Sequence, residues 1–300
     1  MALDVGIVGP PGSGKTTLFT ALTGIRPEGY GTLHIGVAPI ADERLPKVAQ
    51  VVTSAKETPA TIRLIDVPGT AEAQLGGVRR ADALLGVVRD PGELPSLKLE
   101  LLVADRDHVE RRLERVRKEA KSGDPKLRID AELLERLIAH IDDERPVRDW
   151  AGELPAELEP LTTKPLIPIV NGPEGVDLAL EAELRALSAE EAAEFRDGGS
   201  STLDDIVRQL ATLLDLVTFF TAGDTETRAW TLRNGKTALD AAESIHSDIA
   251  RGFIRCEVIR WDDLVETGSH AEAARRGLQR LEGKGYVVAD GDVLNIRFNV

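Results

Sequence analysis

Cysteine occurs once in these 300 residues, at Cys256, so no internal disulfide can form, and no Cys/His cluster has the spacing of a zinc site. In "FIRCEVI" the thiol reads as a small buried apolar group, and a reducing cytoplasm is the expected compartment. No apolar run approaches the roughly 20 residues that span a bilayer, so no membrane span is expected. The opening "MALDVGIVG" has no basic stretch followed by an apolar segment and a small-residue cleavage site; it reads as a buried strand. Basic charge is also short. With 37 Lys/Arg against 51 Asp/Glu, the net charge is −14, which excludes broad coating of nucleic acid and makes DNA an unexpected partner, because such binding neutralises phosphates with Lys and Arg. A local basic face stays open.

What is present is an ordinary soluble composition, 42% hydrophobic and 29% charged, in a chain long enough for two or three domains. Near the start, Gly9-Pro10-Pro11-Gly12-Ser13-Gly14-Lys15-Thr16 matches G-x-x-x-x-G-K-[ST] in full. The apolar strand "VGIVG" runs into it and the helical pattern "TTLFTALTG" runs out. Each residue type has a job in a phosphate loop. Glycines let backbone N–H groups curl around phosphate oxygens, Lys15 reaches the outer phosphates, and the Thr16 hydroxyl ligates Mg²⁺. Ser13 and Thr17 read as packing or cap residues beside the phosphates. Nucleotide binding is the expectation.

"ATIRLIDVPG" is a second apolar strand, ending in Asp66 with Pro68-Gly69 behind it. Such a carboxylate beside a phosphate loop holds Mg²⁺ through its water shell, and the Gly69 amide is placed to sense the terminal phosphate. A third strand, "KPLIPIVNGPEG", ends at Asn171, with Glu174 three residues later. Guanine readers carry Asn-Lys-x-Asp at this point; Asn-Gly-Pro-Glu leaves guanine selectivity open, and a plain Gly-Pro turn is the alternative. Gln74 is the nearest glutamine after Asp66, at the wrong offset for positioning water.

Strand candidates at 5–8, 62–65, 83–88 and 166–170 alternate with helical segments, the pattern of a mostly parallel, doubly wound α/β sheet. Between the third and fourth, apolar residues at Val109, Leu113, Val116 and Ala120, then Leu134, Leu137 and Ile141 after a Ser-Gly-Asp-Pro break, predict an inserted antiparallel helical hairpin with solvated charged faces. "ALSAEEAAEF" carries a capping-box spacing at Ser188 and Glu191. After about residue 215 the texture turns to short β-rich runs with turns at Asn234-Gly235 and Asp290-Gly291, a small mixed α/β domain. Its eleven Lys/Arg against fourteen Asp/Glu do not make it a basic module. The expected division is 1–95 and 151–214 for the nucleotide domain, 96–150 for the hairpin and 215–300 for the last domain.

The stretch "LVTFFTAGDTETRAWTLRNGKTALDAAESIHSDIARGFIRCEVIRWDDLVETGSHAEAARRGLQRLEGKGYVVADGDVLNIRFNV" resembles the TGS-containing C-terminus of the YchF family, the Obg-like ATPases. The likeness runs in order through the phosphate loop, "VAPIADERLPKVAQVV", "ADRDHVERRLERVRKEAKSGD", the N-x-x-E element and "EAELRALSAEEAAEF". It implies a G-domain-like P-loop NTPase interrupted by a helical hairpin, followed by a β-grasp-like TGS domain. It also implies ATP in preference to GTP with Asn171 and Glu174 at the base, slow hydrolysis, a cytoplasmic location, and ribosome or RNA contact through the hairpin and TGS domain. The family's first switch has a Thr for Mg²⁺; "GTLHIGVAP" is shorter, and Thr32 is the matching residue. The second switch, from Thr70 through "AEAQLGGVRRADALLG", is also clipped.

These features together point to a slow, Mg²⁺-dependent switch ATPase in which Lys15, Thr16, Asp66 and Gly69 do the chemistry. Two rivals stand beside it. A clipped second switch suits a nucleotide-binding adaptor that does not hydrolyse, and "GPPGSGKTT" suits a kinase, although no arginine-rich lid follows. His246 reads as a structural hydrogen-bonding residue. Arg251, Arg255, Arg275, Arg276 and Arg280 read as surface charge, with an RNA-facing patch as the alternative.

Overall fold

Hydrophobic runs that are buried on both faces make parallel strands, and the three central strands of the first sheet are largely such runs. The computed structural model describes residues 3–27, 33–67, 75–122, 124–155, 157–195 and 201–299. Strands β1 (Asp4–Val8), β2 (His34–Pro39), β4 (Thr61–Asp66), β5 (Ala83–Val88) and β6 (Leu166–Val170) form a five-stranded sheet in the order β2-β4-β1-β5-β6. β1 pairs in parallel with both β4 and β5, and β5 with β6. All six residues of β5 are buried. The sheet is thus a mixed α/β, P-loop NTPase-like core, with helix α1 (Lys15–Thr23) following β1.

From β5 the chain runs into the long helix α3 (Leu94–Glu119) and returns along α4 (Pro125–Asp142). Asp124 caps α4 by accepting from the Lys126 amide, and Pro125 opens the first turn, where its missing N–H costs nothing. Leu102, Val109, Leu113 and Val116 interlock with Leu134, Leu137 and Ile141 in one buried seam. Helices α5 (Leu178–Leu184) and α6 (Ala189–Phe195) follow β6; at the second, the Ser188 amide donates to Glu191 and the Glu191 amide to Ser188 Oγ.

The chain divides into two compact units, one of Leu3–Val37 with Arg63–Gly199 and one of Ala38–Ile62 with Ser200–Val300. The second unit holds α7 (Thr202–Leu213) and a six-stranded sheet ordered β10 (Arg280–Glu282), β9 (Phe253–Arg260), β11 (Asp292–Phe298), β7 (Leu216–Ala222), β8 (Thr227–Arg233) and β3 (Glu57–Thr58). Here β7 (Leu216–Ala222) and β8 (Thr227–Arg233) form an antiparallel hairpin, and β11 (Asp292–Phe298) lies antiparallel to β9 (Phe253–Arg260) and parallel to β7. β10 (Arg280–Glu282) pairs with β9. Helices α8 (Ala238–Ile245) and α9 (Ser247–Arg251) supply Ala238, Ala241, Ala242 and Ala250 to a core with Phe219, Phe253, Cys256, Val258 and Leu294. Two further short helices, α10 (Trp261–Thr267) and α11 (His270–Arg275), follow β9.

Residues 38–62 differ from the expectation that 1–95 form one body. β3 (Glu57–Thr58) pairs with β8 in parallel, and Thr58 Oγ1 donates to Glu226 at 2.5 Å. On α2 (Arg44–Val51), Arg44 holds Asp290 at 2.6 Å and lies 5.5 Å over the Phe220 ring, while Lys47 sits 5.6 Å over Trp261. A two-residue strand carries no periodic signal, and partner choice across 170 positions is invisible in local sequence.

Candidate functional site

The turn from β1 to α1 needs glycine for two separate reasons. Gly9, Gly12 and Gly14 have φ of +150°, +75° and +105°, a region that L side chains avoid. A Cβ on Gly9 would meet the Val87 carbonyl oxygen at 2.1 Å, and one on Gly14 would meet Asn171 Nδ2 at 2.4 Å. Gly14 caps α1 without any side-chain hydrogen bond, so the first-turn N–H groups remain available to an anion, where the helix dipole favours negative charge. Pro11 and Gly12 are exposed at the crest of the loop, and Ser13 is buried beneath it with its hydroxyl unpartnered.

Lys15 is the cation of the loop. Its Nζ donates to the Gly9 and Pro10 carbonyls, each at 2.8 Å, and the side chain is buried. Burial pushes its pKa below the ordinary lysine value, while Asp66 and then Glu100 pull it back up. Thr16 Oγ1 donates to Asp66 Oδ2 at 2.9 Å across 50 positions. Asp66 is 1% exposed, and its Oδ1 has no partner. A buried carboxylate with an orphaned oxygen next to a hydroxyl is a set of hard oxygen donors, and it fits Mg²⁺. Among the described residues no group of three or more His, Cys, Asp or Glu could hold a metal ion.

Asn171 reaches the loop from the end of β6. Its Nδ2 donates to the Ser13 carbonyl at 2.9 Å, and its Oδ1 accepts from the Leu178 amide at the start of α5. One side chain therefore braces the phosphate loop and the next helix together. Glu174 is exposed in the turn that follows and makes no hydrogen bond among the described residues; Asp177 caps α5 instead, accepting from Ala179 and Leu180. Thr17 is half-buried on α1. Thr32, Gly69 and Gln74 lie outside the described residues.

His34 is the residue that sequence reasoning passed over. It opens β2 with Nδ1 3.5 Å from Asp66 Oδ2, its ring tilted against Phe19. A single imidazole at a strand start carries no motif, so only the pairing of strands brings it here. Elsewhere, His246 caps α9 by accepting from the Asp248 amide at 3.1 Å. Arg275 and Arg276 are held by Glu272, Arg251 by Asp248, and Arg280 by the Tyr286 hydroxyl; most of that cluster is therefore engaged within the domain.

A family model described as "Protein of unknown function (DUF933)", under the name YchF-GTPase_C, matches residues 216–299, and one described as "ABC transporter" matches residues 4–133, which include the phosphate loop and Asp66. The "Ribosome-binding ATPase YchF" of Bacillus subtilis is 34% identical, with all of both chains covered; that of Haemophilus ducreyi is 35% identical, also over both full chains. The chain belongs to the YchF family. A solved structure titled as the Schizosaccharomyces pombe YchF GTPase superposes with a TM-score of 0.78 at 25% identity, covering 98% of this chain and 97% of that one. The alignment with the Bacillus subtilis YchF spans 366 positions against the 300 residues here, so the family carries segments that this YchF chain lacks.

Proposed function

We propose that this YchF-family chain is a nucleoside triphosphate hydrolase of slow turnover, binding ATP in preference to GTP and acting as a nucleotide-dependent switch on a ribosome-associated partner. The contact of Thr16 with the buried, half-satisfied Asp66 beneath the Gly9–Lys15 loop carries the reading. Loop amides and the N-terminus of α1 would take the phosphate oxygens, and the Lys15 ammonium would exchange its two carbonyl partners for outer phosphates. Thr16 and Asp66 would hold Mg²⁺, with Thr32 as the first-switch ligand; the ion supplies charge neutralisation at the phosphates. Asn171 would meet the base edge while bracing the loop, with Glu174 beside it, and the Gly69 amide would report the terminal phosphate.

Gln74, the nearest glutamine after Asp66, stands at the wrong offset for positioning water, so hydrolysis would rest on positioning and electrostatics, and slow turnover is expected. Residues 215–300 are read as a TGS, β-grasp-like domain, 96–150 as the hairpin, and 1–95 with 151–214 as the nucleotide domain, less residues 38–62 and 200–214, which cluster with the C-terminal unit. The hairpin and TGS domain would carry the ribosome or RNA contact, in the cytoplasm. No described helix is long and apolar enough to cross a membrane, and neither a membrane nor DNA enters the reading.

Calorimetric titration with ATP and with GTP, each with Mg²⁺, is the test, with phosphate release followed in parallel. ATP should bind more tightly; GTP binding tighter by tenfold or more overturns the base assignment. A second reading, a nucleotide-binding adaptor that does not hydrolyse, draws on the 300 residues standing against 366 aligned positions. It gains if nucleotide binds while no phosphate is released with or without ribosomes.

A further inference from the structure

Arg228 and Trp230 stand two apart on β8, so their side chains share one face of the sheet. The Arg228 guanidinium lies 4.1 Å over the centre of the Trp230 ring. That ring is itself fixed: its Nε1 donates to Thr221 Oγ1 at 3.0 Å, and it stacks at 11° to the fully buried Phe219. Contact with an indole holds a guanidinium by its flat face and leaves its N–H groups pointing outward in their own plane. Among the described residues the Arg228 side chain makes no hydrogen bond and no ion pair, and its Nε is buried without a partner. The neighbouring carboxylate, Glu226, is engaged elsewhere, accepting from Thr58 Oγ1 at 2.5 Å and facing Lys56 Nζ at 3.4 Å. Among the groups that hold the Glu226 carboxyl below its usual pKa, Thr58 acts most strongly and Arg228 least.

The pair borders a cavity of about 180 Å³ that Pro59, Thr61, Thr231 and Ser244 also line, all within the second compact unit. Among the described residues Arg228 is the one charged group lining it, in a chain whose net charge is −14. Thr61 and Thr231 add hydroxyls with no hydrogen-bond partner among the described residues. A cation and two hydroxyls, with no carboxylate beside them, favour an anion. Size narrows the class. The volume matches about six waters at roughly 30 Å³ each and falls short of the roughly 300–1,000 Å³ of sites that enclose whole small molecules. A nucleoside triphosphate is too large for it; a single carboxylate or phosphate group is not. The fold does not need a guanidinium here, since an aliphatic side chain would cover the indole without leaving a buried donor unpaired, a state that folded proteins avoid.

We propose that this cavity on the C-terminal sheet binds a small oxyanion, a carboxylate or phosphate group, gripped by two N–H groups of Arg228 with Trp230 as the platform that aims them. The inference goes beyond the nucleotide-switch reading above and stands independently of it.

The test is proton–nitrogen correlation NMR of the full chain, following the Arg228 Nε–H and the Trp230 indole N–H as inorganic phosphate, acetate or a sodium chloride control is added at matched ionic strength. An oxyanion should shift both signals to saturation and chloride should not. Saturation by phosphate alone assigns the site to a phosphate group, and by acetate alone to a carboxylate. Reading these two signals keeps the cavity apart from phosphate bound at the Gly9–Lys15 loop. In R228Q, which keeps the stem over the ring and loses the charge, the Trp230 signal should no longer respond. R228K, which keeps the charge without the planar fork, should bind at least tenfold more weakly. Circular dichroism and ATP titration should match wild type in both variants, since Arg228 belongs to the C-terminal sheet and not to the phosphate loop. Shifts that fail to saturate, that chloride reproduces, or that persist in R228Q overturn the proposal, and R228K binding as tightly as wild type overturns the two-donor grip. If the shifts saturate as expected while ATP fails to bind, the nucleotide reading alone falls.

Discussion

The Arg79 guanidinium donates to Asp105 Oδ1 at 2.8 Å, and the pair is buried, with Asp105 fully sealed from solvent. Asp105 also accepts from the Leu161 amide, the Thr162 amide and the Thr162 hydroxyl, each at 2.8 Å, and Arg79 donates onward to the Ala104 carbonyl. Thr162 Oγ1 in turn accepts from the Val147 amide. Arg79 leads into β5, Asp105 lies on the outgoing helix of the hairpin, and Val147 lies just past the returning one. One carboxylate therefore ties both legs of the hairpin to the nucleotide-domain sheet.

Asp105→Ala should be among the most destabilising single changes in the chain. It strands a buried guanidinium and three other donors, and removing one partner of a buried pair costs about 3–5 kcal/mol. Urea denaturation measures it. Replacing the pair together, as R79M/D105L, should cost less than Asp105→Ala alone, because no uncompensated charge is left; a double variant as unstable as the single one would contradict the buried-charge account.

Thr16→Ala and Asp66→Asn should each remove the benefit that Mg²⁺ brings to nucleotide binding. The expected ratio of Kd without Mg²⁺ to Kd with it falls toward one, whereas Thr16→Ser, which keeps the hydroxyl, retains most of it. Titration calorimetry at fixed nucleotide with and without the ion reads this directly.

Gly14→Ala should weaken nucleotide binding by at least tenfold. The added methyl would meet Asn171 Nδ2 at 2.4 Å, and the backbone sits at φ +105°. In G14A/N171A the clash is gone but the backbone strain, of order 1–2 kcal/mol, remains, so binding should recover in part and stay below that of N171A. Full recovery would mean the left-handed conformation is unimportant.

Cys256 should be inert in the folded protein. Burial pushes its thiol up to about 12, and Asp292 adds to the effect, so at pH 8 almost no thiolate exists in the fold, and the sulfur is 0% exposed. Ellman's reagent should label it only as denaturant unfolds the C-terminal sheet. Because the folded pKa lies above the unfolded value of roughly 8.5, the fold holds this proton more tightly. The thiol's contribution is therefore intact below about pH 8.5 and declines as pH rises above it.

The phosphate loop was legible because its pattern is written in adjacent residues: glycines at 9, 12 and 14 that the backbone needs at positive φ, then Lys15 and Thr16 at the start of the helix. The hairpin seam was legible too, since apolar residues three and four apart can only meet on one helical face. Asp66 was visible as the polar end of an apolar strand. Asn171 was found, but its grip on the Ser13 carbonyl was not, and neither was His34 beside Asp66.

What the sequence determined by itself was what local spacing encodes: a strand, a phosphate loop, a helix, two seams and a capping box. Only the tertiary structure decided which distant groups became partners. It joined Thr16 to Asp66, Asn171 to a loop 158 positions away, Asp105 to Arg79, and residues 38–62 to the C-terminal sheet. Helical and strand periodicity report which face of an element is apolar. A buried hydrogen bond depends on which elements the topology sets side by side, and a burial that leaves few alternatives then makes that single partner indispensable.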